Sequence, residues 1–516
     1  MSPMLRKNTR RLPLGTLAAA MMVALAGCAV GPDFKAPTAP QATAYTPEPL
    51  PASTSASAVG GGGAQRFVTG MDIPGQWWTL FRSEALDKMI AAALLANPNL
   101  QAAQAALRVA QENVYARRGA LFPTVGASFE SNRAKVAGDV SSPLDSGQQL
   151  FTLHTAQLNV SYTPDVFGGT RRTVESAQAQ RDMQRYQLEA AYLSLTSNLV
   201  AAAVQDAALR AQIANTETVI RIGSDVLDLL RKQYDLGAIG MSDVVVQEQS
   251  VAQAQATLPG LQKQLAQQRD LLAALTGRLP DDPMIEAFDL DSLTLPADLP
   301  VSLPSRMIEQ RPDVAAATAL LHAATADVGV ATANMLPQFT LVASLGSASS
   351  QFGNLFGPGT ALWSLLGGIT QPLFAGGTLL HQKRGAEAAL DQAGAEYRAT
   401  VLNAFQNVAD SLNALKYDAD TVRLQLVSER AAARSLDIAQ KSLKLGATSY
   451  FSVLTAQQAY QEAASALTQA RVDRYTDTVA LFQALGGGWW NRQDVVATNP
   501  STGSVASNGV SAGGAP

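Results

Sequence analysis

The stretch Tyr162-Thr163-Pro164-Asp165-Val166-Phe167-Gly168-Gly169-Thr170 returns 208 residues later as Thr370-Gln371-Pro372-Leu373-Phe374-Ala375-Gly376-Gly377-Thr378. Three further pairs keep the same order. Asn97-Pro98-Asn99-Leu100 with Leu121-Phe122-Pro123 is echoed by Arg311-Pro312-Asp313-Val314 with Met335-Leu336-Pro337, at an offset of 214. Tyr234-Asp235-Leu236-Gly237 returns as Leu443-Lys444-Leu445-Gly446, at 209, and Leu275-Thr276-Gly277 as Leu485-Gly486-Gly487, at 210. Four anchors at nearly one spacing make the chain two copies of one unit. The copies meet between Pro280 and Pro304, where five prolines break any helix.

Downstream of each glycine corner the hydrophobic period is helical. The next proline after Gly169 is Pro259. A 4-3 spacing runs from Leu188 through Leu195, Leu199, Leu209, Leu227 and Leu230 to Tyr234, with eleven of its fourteen positions apolar. Adding 209 lands on Tyr397, Val401, Ala404, Val408, Leu415, Val422 and Leu436 among others, ten of fourteen apolar. Heptads sustained this long predict one helix per copy, Thr170 to Leu236 and Thr378 to Leu445, each about 100 Å long at 1.5 Å per residue. Shorter helical stretches flank them, over 83–120 and 242–276 in the first copy and 305–334 and 449–485 in the second.

Upstream of each corner the period is two. Val125, Ala127 and Phe129 alternate with Thr124, Ser128 and Glu130; Leu158, Val160 and Tyr162 with Gln157, Asn159 and Ser161. The second copy repeats this, with Phe339, Leu341, Ala343 and Leu345 against Gln338, Thr340 and Ser344, and Trp363, Leu365 and Ile369 against Ser364 and Thr370. Strands of about ten residues with one apolar face suit a membrane barrel, with Val125, Phe129, Val160, Tyr162, Phe339, Leu341 and Trp363 toward lipid. A soluble hairpin laid on a core alternates in the same way.

The single cysteine, Cys28, ends the run Leu25-Ala26-Gly27-Cys28, preceded by an apolar stretch and by Arg6, Lys7, Arg10 and Arg11. That order is an export signal. The last four residues look like the lipobox of bacterial lipoproteins, in which the cysteine is acylated, typically with palmitate, and becomes residue one. Removing residues 1–27 takes away four basic residues and no acidic one, so the formal charge moves from −4 to −8. A chain this acidic is no nucleic-acid binder. After the signal no run of about 18 apolar residues offers a transmembrane helix. The chain then divides into a signal peptide (1–27), a lipidated Pro- and Gly-rich linker expected to stay extended or flexible (28–69), the first repeat (70–280), a linker (281–304), the second repeat (305–490) and a disordered tail (491–516).

Four strands per chain cannot close a barrel, and open edges are not tolerated in lipid. Three chains would pool twelve. The expected fold is therefore mainly α with a transmembrane β part: a trimeric outer-membrane β-barrel continuing into a long periplasmic coiled-coil tunnel, built on an internal two-fold repeat. A non-conducting coiled-coil scaffold lipoprotein is the alternative, but it has no use for duplicated amphipathic strand pairs.

Cys28-Ala29-Val30-Gly31-Pro32-Asp33-Phe34, Trp77-Trp78-Thr79-Leu80-Phe81, Asn97-Pro98-Asn99-Leu100, the two glycine corners and Leu485-Gly486-Gly487-Gly488-Trp489-Trp490 together resemble the TolC-like outer-membrane factor family, in its NodT/OprM-type lipoprotein branch. The resemblance spans nearly all of the mature chain. It implies a homotrimeric conduit of a tripartite efflux system, docked by a periplasmic adaptor and served by an inner-membrane pump, commonly of the resistance-nodulation-division type. It also implies outer-membrane lipid as a partner, no enzyme activity and no cofactor. Ala29 after Cys28 fits release to the outer membrane under the lipoprotein sorting rule of such bacteria. The exported compounds are not legible; a polar lumen in an acidic chain points only to a mild cation preference.

The resemblance also places a closed periplasmic aperture at the turns after the long helices. Asp243 stands at the family's acidic position in the first copy, and as an early helical carboxylate it equally suits the helix dipole. In the second copy Thr448, Ser452 and Thr455 stand where charged residues often occur, and Phe451 where a bulky residue narrows the pore or simply packs between helices. Closure by Phe451 and hydroxyl contacts is expected over closure by salt bridges. No metal-ligand spacing is present: His154 and His381 read as solvated ends and His322 as a polar helix position.

Overall fold

A computed structural model describes residues 29–40, 42–139, 147–282 and 287–492. The signal peptide, Cys28 and residues 493–516 of the tail lie outside them. The element order is β1 (Arg66–Thr69), α1 (Glu84–Ala96), α2 (Pro98–Gly119), β2 (Thr124–Lys135), β3 (Leu150–Tyr162), α3 (Gly169–Asp235), α4 (Met241–Leu275), β4 (Asp298–Val301), α5 (Pro304–Gln310), α6 (Pro312–Ala333), β5 (Gln338–Ser349), β6 (Ala361–Thr370), α7 (Thr378–Lys444) and α8 (Tyr450–Ala484). The long helices α3 and α7 each run 67 residues, within one residue of the ends their heptads predict.

Each long helix stops at a glycine in the left-handed region, Gly237 (φ 73°) and Gly446 (φ 68°). Paired returns, Ala238 N to Gln233 O and Gly237 N to Tyr234 O, and likewise Ala447 N to Ser442 O and Gly446 N to Leu443 O, satisfy the last carbonyls. The flanking helices differ from expectation in one respect. The stretches 83–120 and 305–334 are each broken once, at Asn97 (ψ 120°) and Arg311 (ψ 123°), because a following proline pushes its predecessor out of the α region. Both break residues tie down the end of a second hairpin helix: Asn97 Nδ2 donates to Leu275 O at 2.9 Å and Arg311 Nη1 to Ala484 O at 2.8 Å.

The chain divides into two compact units, and each draws on both repeats. The strand unit comprises the described residues up to Pro37, Ala106–Gln184 and Ala317–Tyr397. Its sheet is antiparallel in the order β2-β3-β5-β6. Asp165 caps α3, accepting from Thr170 N at 3.0 Å and Arg171 N at 2.8 Å. By length and composition α6 is apolar enough to cross a membrane, which the sequence did not suggest. Alanine supplies that apolarity, and the helix carries Asp313, His322 and Asp327.

The helical unit comprises Thr38–Ala105, Arg185–Ala316 and the described residues from Arg398 onward. Its seams are those of the heptads: Leu199, Leu230, Ala404, Val408, Leu415 and Val422 are fully buried. The polar seam residue Asp206 is buried too, and meets Arg210 Nε at 2.7 Å and Phe288 N at 3.3 Å. In the junction between repeats, Phe288, Leu290, Leu293 and Leu299 are buried, and β4 pairs in parallel with β1.

The expectation of a loose linker over 28–69 is corrected. Within this unit Thr54 and Gln65 are buried, and the glycine loop lies over Arg474, whose guanidinium donates to Gly61 O at 3.1 Å and Gly63 O at 2.6 Å. A buried guanidinium needs acceptors, and bare glycine carbonyls can approach it closely. The tail boundary at 491 is corrected as well, because Asn491 donates to Ile73 O at 2.7 Å and Arg492 pairs with Glu189 at 3.0 Å.

Candidate functional site

The strand wall is settled by register. Val125 pairs with Val160, Val160 with Ala343 and Ala343 with Leu365; Tyr162 pairs with Leu341, Phe339 with Ile369 and Leu345 with Trp363. Directly opposed residues share a face. Val125, Phe129, Val160, Tyr162, Phe339, Leu341 and Trp363 therefore lie on one continuous face of all four strands, with Leu158, Leu345, Leu365 and Ile369. Among the described residues no core lies against that face: Trp363 is 76% exposed and Val125 69%. A soluble hairpin resting on a core would have covered them.

The opposite face carries Thr124, Ser128, Gln157, Asn159, Ser344, Ser364 and Thr370, joined by Asn159 Nδ2 donating to Ser128 Oγ at 3.1 Å and by a 2.8 Å contact between the Ser344 and Ser364 hydroxyls. Val342, Leu362 and Leu366 interrupt its polarity. His154 departs from its expected place as a solvated end. It stacks on Phe129 at 6.4 Å and meets Phe352 edge-on at 5.6 Å, because its position on β3 puts it on the apolar face. Among the described residues β2 and β6 each pair on one side only.

At the turns after α3 and α7 the candidate residues separate into two groups. Phe451, Ser452 and Thr455 are exposed together in the first turns of α8, Phe451 by 72%, so within the chain Phe451 is no interhelix contact. Asp243 stands on a different helix, in the first turn of α4. Burial, and then the charge of Asp243, push the Tyr450 hydroxyl up to about 12. It donates to Gln247 Oε1 at 2.8 Å, and Gln247 Nε2 donates to Gly223 O at 2.7 Å. This polar chain sits among the buried Leu227, Leu230, Val244, Leu436 and Val453.

Gln247 and Gln457 both face Gly223, where an added Cβ would meet their side-chain nitrogens at 3.3 and 3.0 Å. These residues were missed from sequence, although a signal existed. Gln247 and Gln457 are 210 residues apart, the repeat offset, and Gly223 is one of the few non-apolar seam positions. Outside the cluster, Arg231 reaches Glu248 at 2.7 Å and links α3 to α4.

A wall with one apolar and one polar face, and long paired helices, are features shared with known proteins. Residues 89–278 and 303–487 match the outer membrane efflux protein family. The chain belongs to that family. Among its relatives, the antibiotic efflux pump outer membrane protein ArpC of Pseudomonas putida is 29% identical over 91% of this chain and 94% of its own length. The pyoverdine export outer membrane protein OpmQ of Pseudomonas putida is 30% identical over 80% of this chain and 88% of its own. The outer-membrane channel OprN superposes with a TM-score of 0.79 at 25% identity, covering 90% of this chain and 100% of that one.

The fold class is that of the outer-membrane channel-tunnels, which are trimers with a barrel and a helical tunnel. As a family member the chain is an outer-membrane channel of an efflux system, a system that also holds an adaptor and an inner-membrane pump.

Proposed function

We propose that three copies close their sheets into one twelve-stranded barrel, with Val125, Phe129, Val160, Tyr162, Phe339, Leu341 and Trp363 toward lipid and the Ser128, Asn159, Ser344 and Ser364 row toward the lumen. The observation that carries this is the uncovered apolar face running through four strands whose outer two, among the described residues, pair on one side only. The conduit is passive: an inner-membrane pump, of the resistance-nodulation-division type, drives small molecules through it by way of the adaptor. Antibiotic efflux and pyoverdine export name what relatives handle, and this chain serves a toxic or exported small molecule of that range. Reconstitution tests it. Liposomes holding the purified chain should dissipate a potassium gradient at least tenfold faster than protein-free liposomes, because small ions still pass the closed aperture; equal dissipation contradicts the conduit.

The aperture closes through Phe451, with Ser452 and Thr455 beside it and Asp243 as the acidic gate residue of the first copy, while the buried Tyr450–Gln247–Gly223 chain holds the hairpins in position. Phe451→Ala removes the bulk without touching that cluster, so the closed-state current should rise several-fold. An unchanged current removes Phe451 as the constriction.

Cys28 carries the acyl chains. Each buried methylene contributes about 0.8 kcal/mol, yet a barrel spans the bilayer without them. Cys28→Ala, exported behind an ordinary signal peptide, should still give trimers that conduct. Loss of membrane insertion would make the lipid the sole anchor.

A further inference from the structure

Residues 29–34 lie against the strand unit in a place shaped for them. Val30 N donates to Phe167 O at 3.1 Å, and Arg172 Nε donates to Val30 O at 3.2 Å, so both backbone groups of one residue are held. The Arg172 side chain, 5% exposed, also reaches Asp33 at 2.6 Å and Glu175 at 2.8 Å. His322 Nε2 lies 2.9 Å from Glu175 Oε1, and its ring stacks on Phe34 at 4.3 Å. Burial opposes the Glu175 charge, but hydrogen bonds from His322 and Arg172 prevail and hold its carboxyl below the usual range.

The backbone fit is closer still. Gly31 sits at φ +92°, and a Cβ there would stand 2.4 Å from Gly329 Cα; a Cβ on Gly329 would stand 2.9 Å from Val30 O, and one on Gly168 2.6 Å from Ala29. The repeat shows that this is no general feature of the corner. At the offsets of the corner and of α6, Arg172 becomes Leu380, Glu175 becomes Lys383, His322 becomes Arg108 and Gly329 becomes Tyr115. Leu380 and Tyr115 are exposed, and a Cβ on Gly376 would meet nothing within 4 Å. The chain has two such corners but one amino-terminal segment, and only the corner touching that segment carries the receiving residues.

We infer that Gly168, Arg172, Glu175, His322 and Gly329 form a receptor for the chain's own residues 29–34, which stations the lipid-bearing end of the chain at the foot of β3. This rests on reading Cys28 as the acylated residue. Ala29 lies against Gly168, six residues beyond the last residue of β3, so a group joined one residue upstream would be tethered within about 3.8 Å of chain of that point. A free peptide of a dozen residues would let the anchor wander over roughly 20 Å. Held here, lipid and barrel engage one patch of bilayer, and each raises the effective concentration of the other.

Hydrogen exchange of the purified trimer in detergent tests it, read on the peptide covering residues 29–37. In the wild type the Val30 amide of this peptide, which donates to Phe167 O, should be protected. In Arg172→Met, and in Gly31→Val, its exchange should speed up at least tenfold, while exchange across α3 and α6 stays unchanged. Gly31→Val alters only the segment, which lies outside every helix and strand, so it reads the receptor even if Arg172→Met perturbs α3. Fast exchange in the wild type, or equal protection in Gly31→Val, overturns the receptor. The mass of the amino-terminal peptide is read in the same samples: an unacylated Cys28 would remove the lipid and with it the stationing role, while leaving the protection result to stand for the receptor alone.

Discussion

Cysteines placed together at Thr370 and Ser128 should, on mild oxidation, join three chains into one covalent ring. The pairing comes from the repeat. Inside the chain β3 meets β5 with Ser161 opposite Val342. In the repeat β3 corresponds to β6 at an offset of 209, which keeps apolar facing apolar, and β5 corresponds to β2 at 214. The same contact between copies sets Thr370 opposite Ser128 of the partner subunit. Opposed strand residues lie about 4.5–5.5 Å apart at Cα, within reach of a disulfide.

Burial supports the transfer. At the first corner Arg172, Val174, Ser176 and Ala179 are buried; from Gln371 to Gln392 no residue is. Leu373 and Phe374 are 93% and 91% exposed, and at the other flank Phe122 is 67% exposed, where its counterpart Leu336 is partly covered. These are the two open halves of an interface that the chain closes once within itself, the head-to-tail arrangement that forms rings. Covalent trimers should dominate for Thr370 with Ser128. Stronger cross-linking of Thr370 with Gly126 or Glu130 would mean a two-residue slip, and no cross-linking in any pair would mean that these edges do not meet.

Arg474→Met should destabilise the helical unit by about 3 kcal/mol or more, the second large effect. Methionine keeps most of the volume but donates nothing. Gly61 O, Gly63 O, Thr54 Oγ1 and Gln65 Oε1, at 2.6–3.3 Å from the guanidinium, all lose a donor. A buried acceptor left unpaired costs about 1–3 kcal/mol, part of which water recovers once the loop lifts away. Trypsin cleavage after Arg66 is the direct readout: it should be slow in the wild type and fast in Arg474→Met, with Arg474→Lys between them because an ammonium cannot span the same acceptors. Equal cleavage rates would mean that the loop is held elsewhere, for instance by Arg471 donating to Gly60 O at 2.7 Å.

This loop also marks where sequence stops being informative. The long helices are legible because their signals are local: sixty-odd residues without proline, a sustained heptad and a closing glycine. Strand faces are legible because a period of two fixes them whichever strands pair. The glycine-rich 60–63 loop reads as a linker because its partner, Arg474, lies more than 400 residues away, and an arginine on a helix gives no sign of being buried. The breaks at Asn97 and Arg311 were readable from the prolines that follow them, but the helical period on either side hides them. At the aperture, position alone singled out Asp243, Phe451, Ser452 and Thr455. The Tyr450–Gln247–Gly223 chain stayed hidden because it joins residues of different repeats, and only folding brings those together.

The central claim is a conduit assembled from three copies, and the purified chain in a planar bilayer tests it most directly, with its mass measured in the same detergent. A mass of three chains together with discrete single-channel ion currents is the predicted result. A monomer that passes no current would contradict it.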